Sequence, residues 1–459
     1  MIHIAFVTLG CPKNEVDTLA MKELVSASRY ELCEDPRDAD VVVVNTCSFI
    51  TTATEASIDA ILDLAGQQGD LPPSDPGHDR VILVTGCLVN RYQDTELSAE
   101  LPEVSAFIPL EGEADLLRVI EERTGEPATE EVAAAEVAAE AVSGLSATPS
   151  AYLMIADGCD RACSYCTIPA IRGPYRSTAP DELVATARQL VARGARELVL
   201  IAQDTTAYGH DLPGHPTLAA LVSRLCEETD ATWLRLMYLQ PEGVTDELIE
   251  AIAAHPQVVR SLEMPLQHSS ARLLRAMQRA GSRASFTALI SRLRERLPDL
   301  ALRTTLITGF PGETEADFHD LLDFVTETRF DYVGVFPFSP EEGTVAIGLP
   351  DQVDAEVRLK RAQLLRDAAD EIGWERAAAR IGQTVDVLIE DFDAEEGVWL
   401  GRAPFQAPDI DGVVRIAADT DADTDANDEA ALRPGAIIRV RLQDSLLYDL
   451  EGVTHYETA

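Results

Sequence analysis

Three cysteines in the stretch Asp157-Gly-Cys-Asp-Arg-Ala-Cys-Ser-Tyr-Cys-Thr-Ile-Pro169 stand at C-x3-C-x2-C spacing: Cys159, Cys163 and Cys166. Thiolates this close on one loop fit three corners of a cubane iron–sulfur cluster and leave the fourth iron without a protein ligand. An unligated corner is a place for substrate or cofactor, as an open position marks a catalytic rather than a structural metal site. A structural zinc loop would need four protein ligands, usually from two C-x2-C pairs, and the chain holds no second pair.

Three further cysteines share a different context. Cys11, Cys47 and Cys87 close the stretches Thr8-Leu-Gly-Cys11, Asn45-Thr-Cys47 and Thr85-Gly-Cys87, each at the end of an apolar run. In an open α/β sheet the ligand crevice lies outside the carboxyl ends of the strands, so sequence separations of 36 and 40 residues do not keep these thiols apart. Gly10 and Gly86 let the backbone turn tightly beside a bulky ligand. The three read as ligands of a second cluster. The plainer alternative is three buried cysteines, a common core residue. Cys33 and Cys226 hold no such position and read as packing residues.

The elements that must position these residues follow from periodicity. From 1 to 124 apolar strands at 4–8, 41–46 and 81–85 alternate with helices at 15–28 and 54–64, the pattern of a parallel sheet covered on both faces. Residues 65–79, rich in Gly, Pro and Asp, read as a surface loop. The Ala/Glu-rich stretch 125–149 reads as a linker. From 150 to 378 six strands (152–156, 197–202, 233–239, 261–265, 303–308 and 332–338) alternate with helices, which reads as an incomplete (β/α)6 barrel with its chemistry at the strand C-termini. The Cys159–Cys166 loop follows the first of these strands. Gln203 and Asp204 close the second, Gln267 and His268 the fourth, and Thr308-Gly309-Phe-Pro-Gly312-Glu-Thr314 the fifth. His268 reads as an ordinary packed or surface histidine rather than a catalytic one. A long helix over 355–378 leads to residues 380–459, where five short strands suit a small OB-like β-barrel. The acidic run 419–429 reads as a solvated loop, since it lacks the glycine and closing Glu of a calcium-binding EF-hand loop.

Composition sets the limits. A chain of 459 residues has room for two to four domains, and 46% hydrophobic content is ordinary for a globular protein. Its longest apolar runs are strand-length, the N-terminus lacks a basic leader region, and the eight cysteines point to metal or catalytic thiols rather than disulfides. A cytoplasmic protein without membrane contact is expected. The formal net charge of −42 disfavours a phosphate backbone as main partner and suits a basic protein. The chain has only three lysines, so the acidity also fits a biased proteome.

The C-x3-C-x2-C loop resembles that of the radical S-adenosylmethionine (SAM) superfamily. The resemblance implies that SAM chelates the open iron and that one electron cleaves it to a 5′-deoxyadenosyl radical. It places Tyr165 near the adenine and makes Thr308, Gly309 and Gly312 part of a glycine-rich SAM-binding loop; Gln203 and Asp204, at the end of the second strand, read either as SAM contacts or as simple loop caps. The three-domain order resembles the methylthiotransferases, whose last domain is the TRAM β-barrel. Thr8-Leu-Gly-Cys-Pro-Lys-Asn-Glu-Val-Asp17 and Gly401-Arg-Ala-Pro-Phe-Gln-Ala-Pro-Asp-Ile-Asp-Gly412 are similar to the RimO-type branch, which modifies an aspartate of small-subunit ribosomal protein S-twelve; the branch that modifies a tRNA adenosine typically has Gly-Cys-Gln-Met-Asn. From 381 onward there are 18 acidic and five basic residues, where a tRNA-binding module should be basic. The resemblance thus implies two 4Fe-4S clusters, the second holding an exogenous sulfur on Cys11, Cys47 and Cys87. It also implies an electron donor such as flavodoxin or ferredoxin, no direct nucleic-acid substrate, and no catalytic side chain beyond the cluster ligands. A tRNA methylthiotransferase is the alternative within the family. A two-cluster electron carrier is the alternative outside it, although carriers ligate every iron with protein and need no barrel.

Overall fold

The computed structural model describes residues 2–66, 80–92, 97–128, 148–417 and 432–454. Most of the 65–79 loop, most of the 125–149 linker and the acidic run 419–429 lie outside the described residues.

The N-terminal sheet is parallel, with Glu31–Leu32, His3–Thr8, Val41–Thr46, Val81–Gly86 and Ala106–Ile108 side by side in that order. Every residue of Val41–Thr46 is buried because both faces are covered. Val42 and Val44 pack into one apolar cluster, Val41 and Val43 into the other. The two outer strands are two and three residues long, too short to show a period in the sequence. The helix Pro12–Ser26 starts three residues earlier than its apolar pattern, because Pro12 is preset for the first helical position.

The central sheet is also parallel and runs Ser150–Met154, Glu197–Ile201, Trp233–Leu236, Val258–Glu263, Ala301–Thr308, Tyr332–Pro337, six neighbours in chain order. It remains open between its first and last strands. Strand alternation divides its two faces. Leu198 and Leu200 join the large core under the outer helices, whereas Val199 and Ile201 face the lumen. The long helix Ala355–Ala378 packs against the last strand.

Five strands, Thr384–Asp393, Val398–Arg402, Val414–Ala417, Asp449–Thr454 and Ile437–Leu446, close into a barrel around Val387, Ile389, Val414, Ile416, Val440 and Leu442. The connection 403–411 leaves this barrel and enters the lumen of the central sheet. Ala407 packs there with Val199, Ile201 and Met237. Fully buried Arg402 donates to Glu197 (2.6 Å) and Glu390 (2.7 Å), Arg235 also pairs Glu197 (2.7 Å), and Asp411 accepts from Arg303. These contacts lie at the starts of the central strands, so the C-terminal module forms the floor beneath a mouth at their C-terminal ends.

Candidate functional site

Cys159, Cys163 and Cys166 lie on the loop after the first central strand. Gly158 makes its turn possible: its φ is +76°, and a Cβ there would come 2.2 Å from the Pro174 carbonyl oxygen. The loop is clamped from both sides. Ser164 donates through its N–H to Met277 O (3.0 Å) and through its hydroxyl to Ala276 O (2.8 Å), while Ala346 N–H donates to Ser164 O (2.7 Å). Buried Arg279 reaches Cys163 Sγ at 4.0 Å and is held by Pro265 O at 2.7 Å.

Each thiol of the second triad follows an N-terminal strand, as the sequence implies. Cys11 caps the helix Pro12–Ser26, Cys87 opens the helix Cys87–Arg91, and Cys47 is fixed through its backbone by Ser57 Oγ. Gly10 has φ +110°, and a Cβ there would lie 2.7 Å from Cys47 Cβ, so only glycine lets these two segments approach. Asn14, fully buried, ties them together by donating to Leu9 O (2.7 Å) and Thr46 O (2.9 Å).

The two triads sit on facing strand ends. The helix Cys87–Arg91 packs on the helix Ile168–Arg172 that follows Cys166. Arg172 crosses the junction, donating to Asp17 (2.6 Å), Asn14 Oδ1 (3.0 Å) and Asp157 Oδ1 (3.1 Å). Thr167 donates to Phe49 O (3.0 Å), and buried Glu341 accepts from Arg91 (2.8 Å) and Thr51 N–H (2.8 Å). Sequence reasoning passed over Arg172, Asn14 and Glu341; no local pattern marks them, because their partners lie far along the chain.

The donor set fits iron–sulfur clusters. Burial pushes Cys166 and Cys87 up to about 12 and also raises Cys159 and Cys47. Desolvation that disfavours a bare thiolate favours one bound to a cation, and metal binding deprotonates such thiols. Among the described residues no three Cys, His, Asp or Glu side chains converge on one ion position. A cubane instead presents three separate irons to three thiolates. Polar groups that a bound cofactor could use also gather at the mouth. The side-chain oxygens of Gln203, Gln240 and Gln267 are buried without a hydrogen-bond partner among the described residues, and each glutamine follows a different central strand. Gln267 and Tyr238 adopt φ of +70° and +60°, a conformation that non-glycine residues keep when their surroundings impose it, often at functional sites.

Tyr165 packs against the core of the central domain. Gln203 donates its amide to Asp157 Oδ1 (2.8 Å), which leaves its oxygen free. Asp204 is buried and fully engaged: it pairs with Arg161 of the cysteine loop and accepts from Thr206 Oγ1 (2.6 Å) and Ala207 N–H (3.2 Å). Thr308 ends the fifth strand, fully buried. The N–H groups of the glycine-rich loop are occupied as well, Gly309 by Glu313 (2.7 Å) and Gly312 by Asp351 O (2.8 Å). A Cβ on Gly309 would lie 2.2 Å from Arg358 Cγ, so close helix approach is what glycine provides there. His268, fully buried, accepts from Ser270 N–H at Nδ1 (2.9 Å) and turns Nε2 toward Glu313 (3.5 Å), a packed rather than a surface histidine.

An open six-stranded parallel sheet with a three-cysteine loop after its first strand defines a radical SAM enzyme. Residues 153–325 match the model of the radical SAM superfamily, 3–109 that of uncharacterized protein family UPF0004, and 381–454 that of the TRAM domain. Among solved structures, the radical SAM methyltransferase TsrM from Kitasatospora setae aligns with a TM-score of 0.52 at 14% identity, covering 73% of each chain, a likeness of fold alone. The ribosomal protein uS12 methylthiotransferase RimO of Geobacter sulfurreducens is 44% identical over 454 residues, 98% of either chain. That of Pelotomaculum thermopropionicum is 40% identical over 464 residues, 99% of either chain. The chain belongs to the RimO family and is a radical SAM methylthiotransferase.

Proposed function

We propose that this enzyme inserts sulfur and a methyl group at the β-carbon of an aspartate in small-subunit ribosomal protein S-twelve, free or within the ribosome. The observation that carries the reading is the pair of cysteine triads on facing strand ends, joined through Arg172. Cys159, Cys163 and Cys166 hold the 4Fe-4S cluster that binds SAM, and Cys11, Cys47 and Cys87 hold the auxiliary one. When bound, the first cluster would supply one-electron reduction of SAM, the second would supply sulfur, and SAM would supply the methyl group.

The chain's own residues prepare that chemistry. Arg279 places a cation beside Cys163, and Gln203, pinned by Asp157, keeps a buried oxygen free for a polar group of the cofactor, with Tyr165 of the cysteine loop as a further contact. The N-terminal domain seated on the mouth excludes water from a carbon radical that must meet its sulfur donor. The C-terminal module carries 18 acidic against five basic residues from 381 onward, and Asp391, Glu395 and Asp444 are exposed outside the ion pairs that join Arg402 to Glu390, Arg415 to Glu396 and Arg439 to Asp386. That surface supports a basic protein partner over a tRNA backbone. No helix among the described residues is long and apolar enough to cross a membrane. A cytoplasmic enzyme fed by a flavodoxin or ferredoxin completes the reading.

The test is the intact mass of S-twelve after anaerobic incubation with reconstituted enzyme, SAM, sulfide and dithionite, beside a nucleoside digest of tRNA treated in parallel. Gain of one methylthio group on the protein's aspartate is expected. A methylthioadenosine in the tRNA with unmodified protein would overturn the reading.

A further inference from the structure

Lys13 is one of only three lysines in the chain, yet it is 5% exposed. It leaves the first turn of the helix Pro12–Ser26, two residues after Cys11, and crosses from the N-terminal domain to the mouth of the central sheet. There its ammonium sits 3.0 Å from the centroid of the Tyr238 ring. A buried ammonium is costly unless an anion or hydrogen-bond acceptor answers it. An aromatic face compensates only in part. Among the described residues the Lys13 ammonium makes no hydrogen bond and no ion pair.

The carboxylates around it are already answered by others. Glu263 faces Arg303 (3.8 Å) and accepts from Tyr238 N–H (3.3 Å). Asp157 accepts from Arg172 (3.1 Å) and Gln203 (2.8 Å). Asp17 pairs Arg172, and Asp411 pairs Arg303. Lys13 is therefore a buried cation left over from the fixed pairing, beside Cys11 of one triad and facing the strand ends that carry the other. The strained backbone of Tyr238 and the orphaned oxygens of Gln240 and Gln267 belong to the same rim.

We propose that Lys13 binds the side-chain carboxylate of the substrate aspartate and thereby fixes its β-carbon between the two triads. The inference rests on the functional reading above. A carboxylate lacking its cation is poorly desolvated, so replacing Lys13 should weaken capture of aspartate far more than capture of a neutral side chain.

The test compares wild type, Lys13→Met and Lys13→Arg, each reconstituted as full-length holoenzyme, on S-twelve and on S-twelve with its target aspartate changed to asparagine. Iron and sulfide per chain and the melting temperature report whether each variant is intact. The expected result is a loss of about a hundredfold or more in kcat/KM for Lys13→Met on the aspartate protein, the scale of a buried charge pair broken from one side. Its preference for aspartate over asparagine should collapse, and Lys13→Arg should recover part of both. Unchanged kcat/KM in an intact Lys13→Met enzyme would overturn the inference alone. So would equal losses on both substrates, which would mark Lys13 as structural. If wild type itself leaves S-twelve unmodified, the functional reading fails and the inference falls with it.

Discussion

Replacing Cys47 with alanine removes one of three thiols that no neighbouring residue can replace, since Ser57 and Gly10 fix its position. Methylthio transfer should fall to background, while 5′-deoxyadenosine still forms on the other triad; full transfer activity would remove Cys47 from the site. Cys33→Ala should leave methylthio transfer at the wild-type rate, because that side chain packs at the sheet's edge and its thiol donates only to Asp35 O (3.8 Å). The positions of the six cysteines, on one loop and at three strand ends, were legible because spacing and strand-end position are local features. Arg172 and Lys13 were not. Arg172 finds Asp17 at a separation of 155 residues, and Lys13 meets Tyr238 across a domain boundary. Nothing beside either residue in the sequence announces those partners.

At the scale of elements, the strands of the two parallel sheets could be read because burial on both faces leaves continuous apolar runs. The reach of the helices was harder, since Pro12 starts the first of them before its apolar pattern does. In the glycine-rich loop the structure gives one glycine a local reason of its own: Gly309 admits Arg358 from the long helix. Gly309→Ala should therefore cost roughly 1–3 kcal/mol through strain at φ > 0 and displacement of Arg358, read as a lower melting temperature. The same helix is latched by Arg376 and Arg380 to Asp331, which is 1% exposed. Burial alone would raise that carboxyl, but the two arginines hold it below the usual range. A depressed folded value means the latch stabilises above the unfolded value of about 4 and is lost as pH falls through the folded one. The difference in melting temperature between wild type and Asp331→Asn should thus be full at pH 7 and shrink below about pH 4. A difference independent of pH would show that the charge is not what holds the helix.

Across the whole molecule, the three-part order was visible in the succession of patterns, but the way the parts lock together was not. The connection 403–411 looked like a loop within a β-module, yet it fills another domain's lumen. A chain ending at residue 380 should expose Val199, Ile201 and Met237, strand the Glu197–Arg235 pair without Arg402, and leave Arg303 without Asp411. Such a chain should bind a hydrophobic dye and lose melting cooperativity; a normal melting profile would show that the module is only appended.

That floor also has a place in time. Proteins leave the ribosome N-terminus first, so all six site cysteines, the last of them Cys166, emerge well before residues 403–411. Between the emergence of the last central strand, Tyr332–Pro337, and that of residues 403–411, the central sheet lacks its floor. On the proposed reading, metal loading and closure of the floor are separate events in the life of each chain, and oxygen reaches the thiols most easily between them.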